Sequence, residues 1–107
     1  NTAAAIEAGT TELLTEVFSR NGIAEAQMVS CLFTTTDDLD AQFPAVAARK
    51  LGINNVPLMC AREIPVPGAM PRVIRLMLHY YAGAGHSPGH VYLGAAQSLR
   101  ADLHSAQ

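Results

Sequence analysis

Apolar residues recur at helical spacing in the first part of the chain. The residues that share this face are Ile6, Leu13, Leu14, Val17 and Phe18. Asn1 or Thr2 can cap the first turn, and Gly22 can supply the left-handed residue that ends a helix. The pattern therefore predicts an amphipathic helix over Thr2–Asn21.

Later apolar runs are short, rich in β-branched residues and bounded by turn formers, which is typical of strands. Four strands are predicted, at Met28–Thr34, Val56–Ile64, Val73–Tyr81 and Val91–Ala96. The third run is ambiguous by periodicity, because Leu and Met also suit a helix. Pro71 at its start and the β-branched pair Val73–Ile74 favour a strand.

A second, shorter helix is predicted over Phe43–Leu51, closed by Gly52. Three alanines give it a slim face that would let another surface approach closely: Ala45, Ala47 and Ala48. Prolines and glycines exclude regular structure between the second and third strands, and Ala82–Gly89 reads as a surface loop. The order of elements predicts an α+β fold, with a mixed sheet packed with one long and one short helix.

Length and composition narrow the classes of protein that fit. A chain of 107 residues predicts a single domain over residues 1–107. Half of the residues are apolar and 15% are charged, an excess of apolar surface that is more easily explained if some of it is buried between subunits. A net charge of −2 provides no field for nucleic acid. No apolar run approaches the roughly 20 residues of a membrane helix. We expect neither nucleic acid nor membrane as a partner.

Candidate metal ligands and disulfides are explained more simply in other ways. The acidic stretch Thr35–Asp40 lacks the glycine and terminal glutamate of a calcium loop, and reads as capping and turn residues. His86 and His90 flank a Pro-Gly pair that excludes a helical zinc site. We expect no metal. Cys31 and Cys60 each lie within an apolar run, which indicates reduced, buried thiols in a cytoplasmic protein.

The stretch Val56–Leu78 carries two charges in apolar surroundings, Glu63 after one run and Arg75 inside the next. Such charges are costly unless each has a partner, which is either a protein group or a ligand. From the residues alone, a structural ion pair between the two is favoured, because most buried charge pairs are structural.

Three segments carry a resemblance to a known family. They are FPAVAARKLG at residues 43–52, VPLMCAREIPVPGAMPRVIRLML at residues 56–78 and HVYLGAAQSLRADL at residues 90–103. Their motifs are C-x-x-E, G-x-x-x-x-x-I-R, H-V-Y-L and L-R-x-D-L. In this order and nearly this spacing they resemble the monofunctional chorismate mutases of the AroH class, from residue 1 to about residue 103.

This resemblance implies an assembly and a reaction. The family forms homotrimers with a pseudo-α/β-barrel core and an active site at each of three subunit interfaces. It converts chorismate to prephenate, a Claisen rearrangement in phenylalanine and tyrosine biosynthesis, with no cofactor and no covalent intermediate. Negative charge grows on the ether oxygen as the C–O bond breaks, so a fixed cation there favours the reaction.

The resemblance also implies the site residues. Arg75 is the expected cation at the ether oxygen, and Glu63 the expected acceptor of the substrate's ring hydroxyl. The implied substrate-binding residues are Phe43, Ala45, Arg49, Leu58, Met59, Cys60, Tyr92, Leu99 and Arg100. Of these, the group from Phe43 to Arg49 comes from the neighbouring subunit, and Leu99 and Arg100 lie on a segment that folds over the pocket.

The sequence departs from the family pattern at three places. Val46 replaces a lysine near the pocket mouth, and Met59 replaces a threonine. The family also opens with a strand whose second arginine binds a substrate carboxylate, and Asn1 falls just after that strand. We therefore expect an upstream strand with this arginine in the natural protein.

A second function remains open on the sequence. A trimer of this fold that binds small carboxylates without the mutase activity, as in the similarly folded imine-deaminase-like proteins, would share the architecture. The joint presence of Glu63, Arg75 and Tyr92 separates the two, because only the mutase needs all three together.

Overall fold

Helix α1 spans Ala3–Asn21 in the computed structural model of the chain, which describes residues 1–98. The Oγ1 atom of Thr2 accepts a hydrogen bond from the backbone N–H of Ala5 at 3.0 Å, which caps the first turn. Gly22 ends the helix in the left-handed conformation, with φ of 62°. The predicted amphipathic helix is confirmed. Its buried residues are Ile6, Thr10 and Leu14.

Two glycines of this region give opposite predictions for the same substitution. Alanine at Gly22 must adopt the left-handed conformation, so Gly22→Ala is expected to lower the free energy of unfolding by about 1–2 kcal/mol. Gly9 lies inside α1 with open space around it, so Gly9→Ala is expected to raise it by about 0.5–1 kcal/mol. Urea unfolding of both variants measures the two changes. A shift of both in the same direction would contradict the assigned end of α1.

The sheet has three strands, β1 at Met28–Thr35, β2 at Leu58–Arg62 and β3 at Ile74–Tyr80. Its order is β2-β1-β3, with β1 parallel to β2 and antiparallel to β3. The short helix α2 spans Ala45–Lys50, between β1 and β2. This confirms the predicted α+β fold, a mixed sheet packed with one long and one short helix.

One face of the sheet forms the core with the two helices. Its fully buried centre is Phe33 on the middle strand, with Cys31 beside it. The core cluster consists of Leu14, Met28, Cys31, Phe33, Ala45, Ala48, Ile53 and Val56. The alanine face of α2 therefore packs within the chain, against the core that α1 also covers.

The opposite side of the sheet, here called the open face, is solvent-exposed in the single chain. It consists of Ser30, Leu32, Thr34, Met59, Ala61, Arg75, Met77 and His79, which alternate with the core residues along the strands. Met59 and Met77 flank Leu32 in register and are 65% and 57% exposed. An apolar centre of this kind, next to charged residues at one end, is typical of a surface that another protein covers.

The predicted strand over Val91–Ala96 is wrong. Gly94–Ala96 form a 3-10 turn, and Gly94 has φ of 56°, a left-handed conformation that interrupts extended backbone. The loop before this segment is tied to the end of α1. Asn21 accepts a hydrogen bond from the backbone N–H of Gly89 at 2.7 Å and donates one to its carbonyl at 3.0 Å. The apolar content of the segment suggested a strand, but the segment pairs with no strand of the sheet in residues 1–98.

Candidate active site

Glu63 and Arg75, here called the charge pair, meet at one end of the open face. Glu63 directly follows β2, and its backbone N–H donates to the carbonyl of Thr35 at 2.9 Å, which extends the ladder by one residue. Arg75 lies near the start of β3, opposite Thr34 in the antiparallel register. Because Thr34 also pairs with a residue of β2 two positions before Glu63, both charged side chains leave the sheet on the same side.

The two side chains form a bidentate fork. Nε of Arg75 donates to Oε2 of Glu63 at 2.6 Å, and Nη2 donates to Oε1 at 2.9 Å. The hydroxyl of Thr34 also donates to Oε2. The Glu63 side chain is only 19% exposed and that of Arg75 is 67% exposed. The carboxylate is thus held against the sheet while the guanidinium faces outward.

These contacts keep both groups charged. The hydrogen bonds from Arg75 and then from Thr34 lower the pKa of the Glu63 carboxyl. The hydrogen bond to Glu63 raises the pKa of the Arg75 guanidinium. Glu63 is therefore an acceptor and Arg75 a fixed cation at neutral pH.

The fork leaves donors and an acceptor free for a ligand. A guanidinium carries five N–H donors, and Arg75 uses two of them on Glu63. A carboxylate has about four lone-pair sites, and three are occupied, two of them on Oε2. The remaining site is on Oε1. An ion pair within the chain and a ligand site are consequently compatible, although the sequence presented them as alternatives.

The three predicted site residues of β2 divide between the two faces of the sheet. Leu58 and Cys60 pack against the core cluster, and Met59 is exposed on the open face. Both cysteines are free thiols. Burial raises the pKa of the Cys31 thiol to about 12, so it stays protonated, whereas Cys60 is only partly buried.

A cleft of about 410 Å³ lies beside the C-terminal end of β2, the end at which the charge pair lies. Phe43 and Cys60 line it, together with Asp37, Asp40 and Arg62. Arg62 is already paired, because its Nη2 lies 2.8 Å from Oδ1 of Asp37. A cleft with excess carboxylates does not suit a dicarboxylate substrate, and the charge pair does not line it. We infer that this cleft alone is not the substrate site.

The remaining predicted residues are dispersed in the single chain. Phe43 is 67% exposed just before α2, Ala45 is buried in the core, and Arg49 is exposed near the end of the helix. Tyr92 is half-buried in the segment before the 3-10 turn. Within residues 1–98, no hydrogen bond or ion pair joins these residues to the charge pair. Leu99 and Arg100 lie outside the described residues.

Thr34 is the site residue that the sequence did not indicate. The strand Met28–Thr34 was predicted, but no role was attached to its last residue. Alternation along β1 was the available signal, because it places Thr34 on the opposite face from Phe33. The register with β3, which the sequence does not show, was also needed to bring this hydroxyl to Glu63.

The acidic stretch Thr35–Asp40 behaves as turn residues, but the predicted capping is wrong, because α1 is capped by Thr2 and α2 is preceded by Pro44 without a side-chain cap. Asp38 accepts hydrogen bonds from the backbone N–H of Arg72 at 3.0 and 3.2 Å, which holds the chain at the entrance to β3. Arg72 itself adopts a left-handed conformation, with φ of 54°. Residues 1–98 contain no group of three His, Cys, Asp or Glu side chains placed to hold a metal ion.

Comparison with known proteins decides the family. A family model described as chorismate mutase type I matches residues 1–103. This chain belongs to that family. It is 45% identical to the chorismate mutase AroH of Thermus thermophilus over 109 residues, which cover all of this chain and 89% of the relative. It is 35% identical to the chorismate mutase AroH of Bacillus subtilis (strain 168) over 96 residues, 88% of this chain and 76% of the relative.

A solved structure agrees with these relatives. The chorismate mutase from Clostridium thermocellum superposes with a TM-score of 0.87 at 44% identity, over 92% of this chain and 88% of that chain. The resemblance read from the sequence motifs, the AroH-type fold and the assignment as an isomerase are confirmed. The carboxylate-binding alternative receives no support from these comparisons.

Proposed function

We propose that the chain converts chorismate to prephenate, and that the charge pair carries the chemistry. The observation that supports this assignment of roles is the fork itself. It fixes a guanidinium by two hydrogen bonds and leaves three of its N–H donors directed away from Glu63. No proton transfer is needed in a Claisen rearrangement, so a fixed cation and a fixed acceptor are sufficient side-chain chemistry.

Arg75 acts on the ether oxygen. Breaking of the C–O bond leaves negative charge on this oxygen before the new C–C bond is formed. A guanidinium that is already oriented stabilises that charge without reorganising in the transition state. The hydrogen bonds to Glu63 supply this orientation, because they involve Nε and Nη2 and leave both N–H groups of Nη1 free.

Glu63 fixes the pose of the substrate. Its Oε1 accepts one hydrogen bond within the chain and has room for a second, from the ring hydroxyl of chorismate. Binding the compact conformer brings the reacting carbons together, which accounts for a further part of the acceleration. The carboxylates of the substrate need additional donors, since the Arg75 guanidinium serves the ether oxygen.

We further propose that three chains assemble into a homotrimer with shared sites. The open face, with Met59 and Met77 more than half exposed, offers apolar area beside the charge pair. Covering it would remove water from around Arg75 and strengthen its interactions. In this arrangement Phe43, Ala45 and Arg49 belong to the neighbour's wall of the site, and Leu99 and Arg100 to a covering segment.

The assignment of the remaining groups follows the family pattern. Tyr92, Cys60 and the neighbouring residues of β2 are proposed to contact substrate. No helix in residues 1–98 is long and apolar enough to cross a membrane. Two free thiols and a biosynthetic reaction support a cytoplasmic location.

An absorbance assay tests the activity directly. The purified protein is incubated with chorismate, and the loss of substrate absorbance is followed together with the appearance of prephenate. We expect turnover without added metal or cofactor. Saturable binding of chorismate with no prephenate formed would instead support the small-carboxylate-binding function.

The pH profile of the same assay tests the role of Glu63. Its pKa is lowered by Arg75 and then by Thr34, so the charged form persists as the pH falls through about 4.3, where an ordinary glutamate protonates. We expect kcat/KM to hold its plateau through that range and to fall only at lower pH, provided that circular dichroism shows the fold intact. An acidic limb at or above the ordinary value would exclude Glu63 as the group responsible.

A further inference from the structure

Thr34 has an unusual place in the sheet. It lies near the end of the middle strand β1, with Ala61 of β2 on one side and Arg75 of β3 on the other. Its side chain points to the open face, and its surroundings there are the two members of the charge pair. A threonine in a strand has a restricted χ1 angle, so its hydroxyl is a stiffly held group.

The hydroxyl of Thr34 donates to Oε2 of Glu63. The same oxygen receives Nε of Arg75 at 2.6 Å, and Oε1 receives Nη2 at 2.9 Å. The carboxylate is thus fixed from two strands. Arg75 alone would be a weaker constraint, because its side chain is 67% exposed and long enough to move with the carboxylate.

We propose that Thr34 is a positioning residue for the mutase reaction: its hydroxyl saturates Oε2 of Glu63 and thereby turns Oε1 toward the substrate and keeps the Arg75 fork in register. The inference rests on the proposed roles of Glu63 and Arg75. Thr34 itself does not contact the reacting atoms. Its contribution is to prevent the carboxylate from rotating about its last bond and taking the guanidinium with it.

Two substitutions separate the hydroxyl from the shape of the side chain. Thr34→Val keeps the β-branched shape and strand preference but removes the donor. Thr34→Ser keeps the donor and removes a methyl group. We expect kcat to fall about 10-fold to 100-fold in Thr34→Val, with a smaller change in KM, because a hydrogen bond to a charged group is lost. Thr34→Ser is expected to stay within a few-fold of the parent.

The open face also offers a matched control. Ser30 lies on the same side of β1 at the other end, and its Oγ lies 3.2 Å from Nδ1 of His79 on β3. Ser30→Ala removes a hydroxyl that links the same two strands but lies away from the charge pair. It is expected to leave kcat and KM near parental values, which shows that losing a cross-strand hydroxyl is not by itself sufficient.

The titration of Glu63 gives a readout that is independent of turnover. Arg75 is the charged group that faces it, and Thr34 is the other donor that lowers its pKa. Carboxyl ¹³C NMR of the parent and Thr34→Val is expected to show a higher pKa for Glu63 in the variant, because one donor to the charged form is gone. The acidic limb of kcat/KM is expected to move to higher pH with it, and Thr34→Ser is expected to leave both unchanged.

The outcomes distinguish this inference from the function on which it rests. Parental kcat and an unchanged Glu63 titration in Thr34→Val would overturn the positioning role and leave the mutase function intact. An inactive parent protein would overturn the function and, with it, Thr34 as a positioning residue for this reaction. A shifted titration with parental kcat would show that Thr34 binds Glu63 without positioning it for the reaction, and would also overturn the inference.

Discussion

Replacement of Arg75 by alanine is expected to lower kcat by about 10²–10³-fold, with a much smaller rise in KM. The reason is that the guanidinium meets charge that develops in the transition state and is absent from the bound substrate. Removing a preoriented donor therefore raises the barrier more than it weakens binding. Steady-state kinetics of the chorismate assay measure both constants.

Two controls make this experiment specific. Arg75→Lys retains a positive charge but cannot form the fork with Glu63, so an intermediate loss of kcat is expected. Arg20→Ala removes another paired arginine, whose Nε lies 2.8 Å from Oε2 of Glu16 on the surface of α1. Its kinetics are expected to be parental, which excludes a general effect of deleting an ion-paired arginine.

The opposite result is equally informative. If Arg75→Ala keeps a near-parental kcat but unfolds at lower urea concentration, the charge pair is a structural ion pair, as the residues alone favoured. Within the single chain the pair adds little to stability, because exposed pairs contribute only about 0–1 kcal/mol. A structural role of the charge pair would therefore lie in stabilising the trimer, and sedimentation of Arg75→Ala distinguishes a loss of assembly from a loss of catalysis.

The parts of the fold that depend on local sequence could be predicted. The ends of α1 lie within one residue of the predicted ends. They are set by the cap at Thr2 and by the left-handed Gly22, and both signals act on neighbouring backbone groups. The strands around Phe33 and Leu76 were also found, the second because Pro71 and the β-branched pair Val73–Ile74 favoured a strand over a helix.

The parts of the fold that depend on a distant partner could not be predicted from the sequence. The segment from Val91 to Ala96 has the composition of a strand, but a strand needs an edge to pair with, and Gly94 turns the chain instead. The alanine face of α2 predicted that another surface approaches closely but not which one, and within the chain that surface is the core. Sequence patterns indicate which residues are buried, but they do not indicate which part of the structure covers them.

The candidate site shows the same division. Glu63 and Arg75 were found because a charge among apolar residues is conspicuous and because their motifs match a family. Thr34 was missed because a threonine at the end of a strand is ordinary. It becomes part of the site only through the register that sets it between β2 and β3, and register is a property of the folded sheet.

Within residues 1–98, one chain does not present a complete site for a dicarboxylate. The charge pair lies on the open face, the cleft that contains Phe43 is rich in carboxylates, and Arg49 is exposed near the end of α2. The hydrogen-bond donors that the substrate carboxylates still need must come from outside this part of the chain. A neighbouring subunit in a ring, whose Arg49 faces the open face of the first, would supply them in the proposed trimer.

Mixing two inactive variants is therefore expected to restore activity. Arg75→Ala subunits lack the proposed catalytic cation but retain Arg49, and Arg49→Ala subunits have the reverse defect. In trimers reassembled from equal amounts, about a quarter of the interfaces join an intact Arg75 to an intact Arg49, since each interface draws its two subunits independently. Activity is expected to rise from near zero toward about a quarter of the parental value, measured after co-refolding or co-expression.

The charge pair itself provides the negative control. Glu63 and Arg75 bond to one another within a single chain, so both must enter a site from the same subunit. A mixture of Glu63→Ala and Arg75→Ala subunits can therefore never contain an intact site and is expected to stay inactive at every ratio. Recovery in this mixture would show that the pair is divided between subunits. No recovery with Arg49→Ala, or full parental activity in a species that sediments as a monomer, would show that the site is complete within one chain.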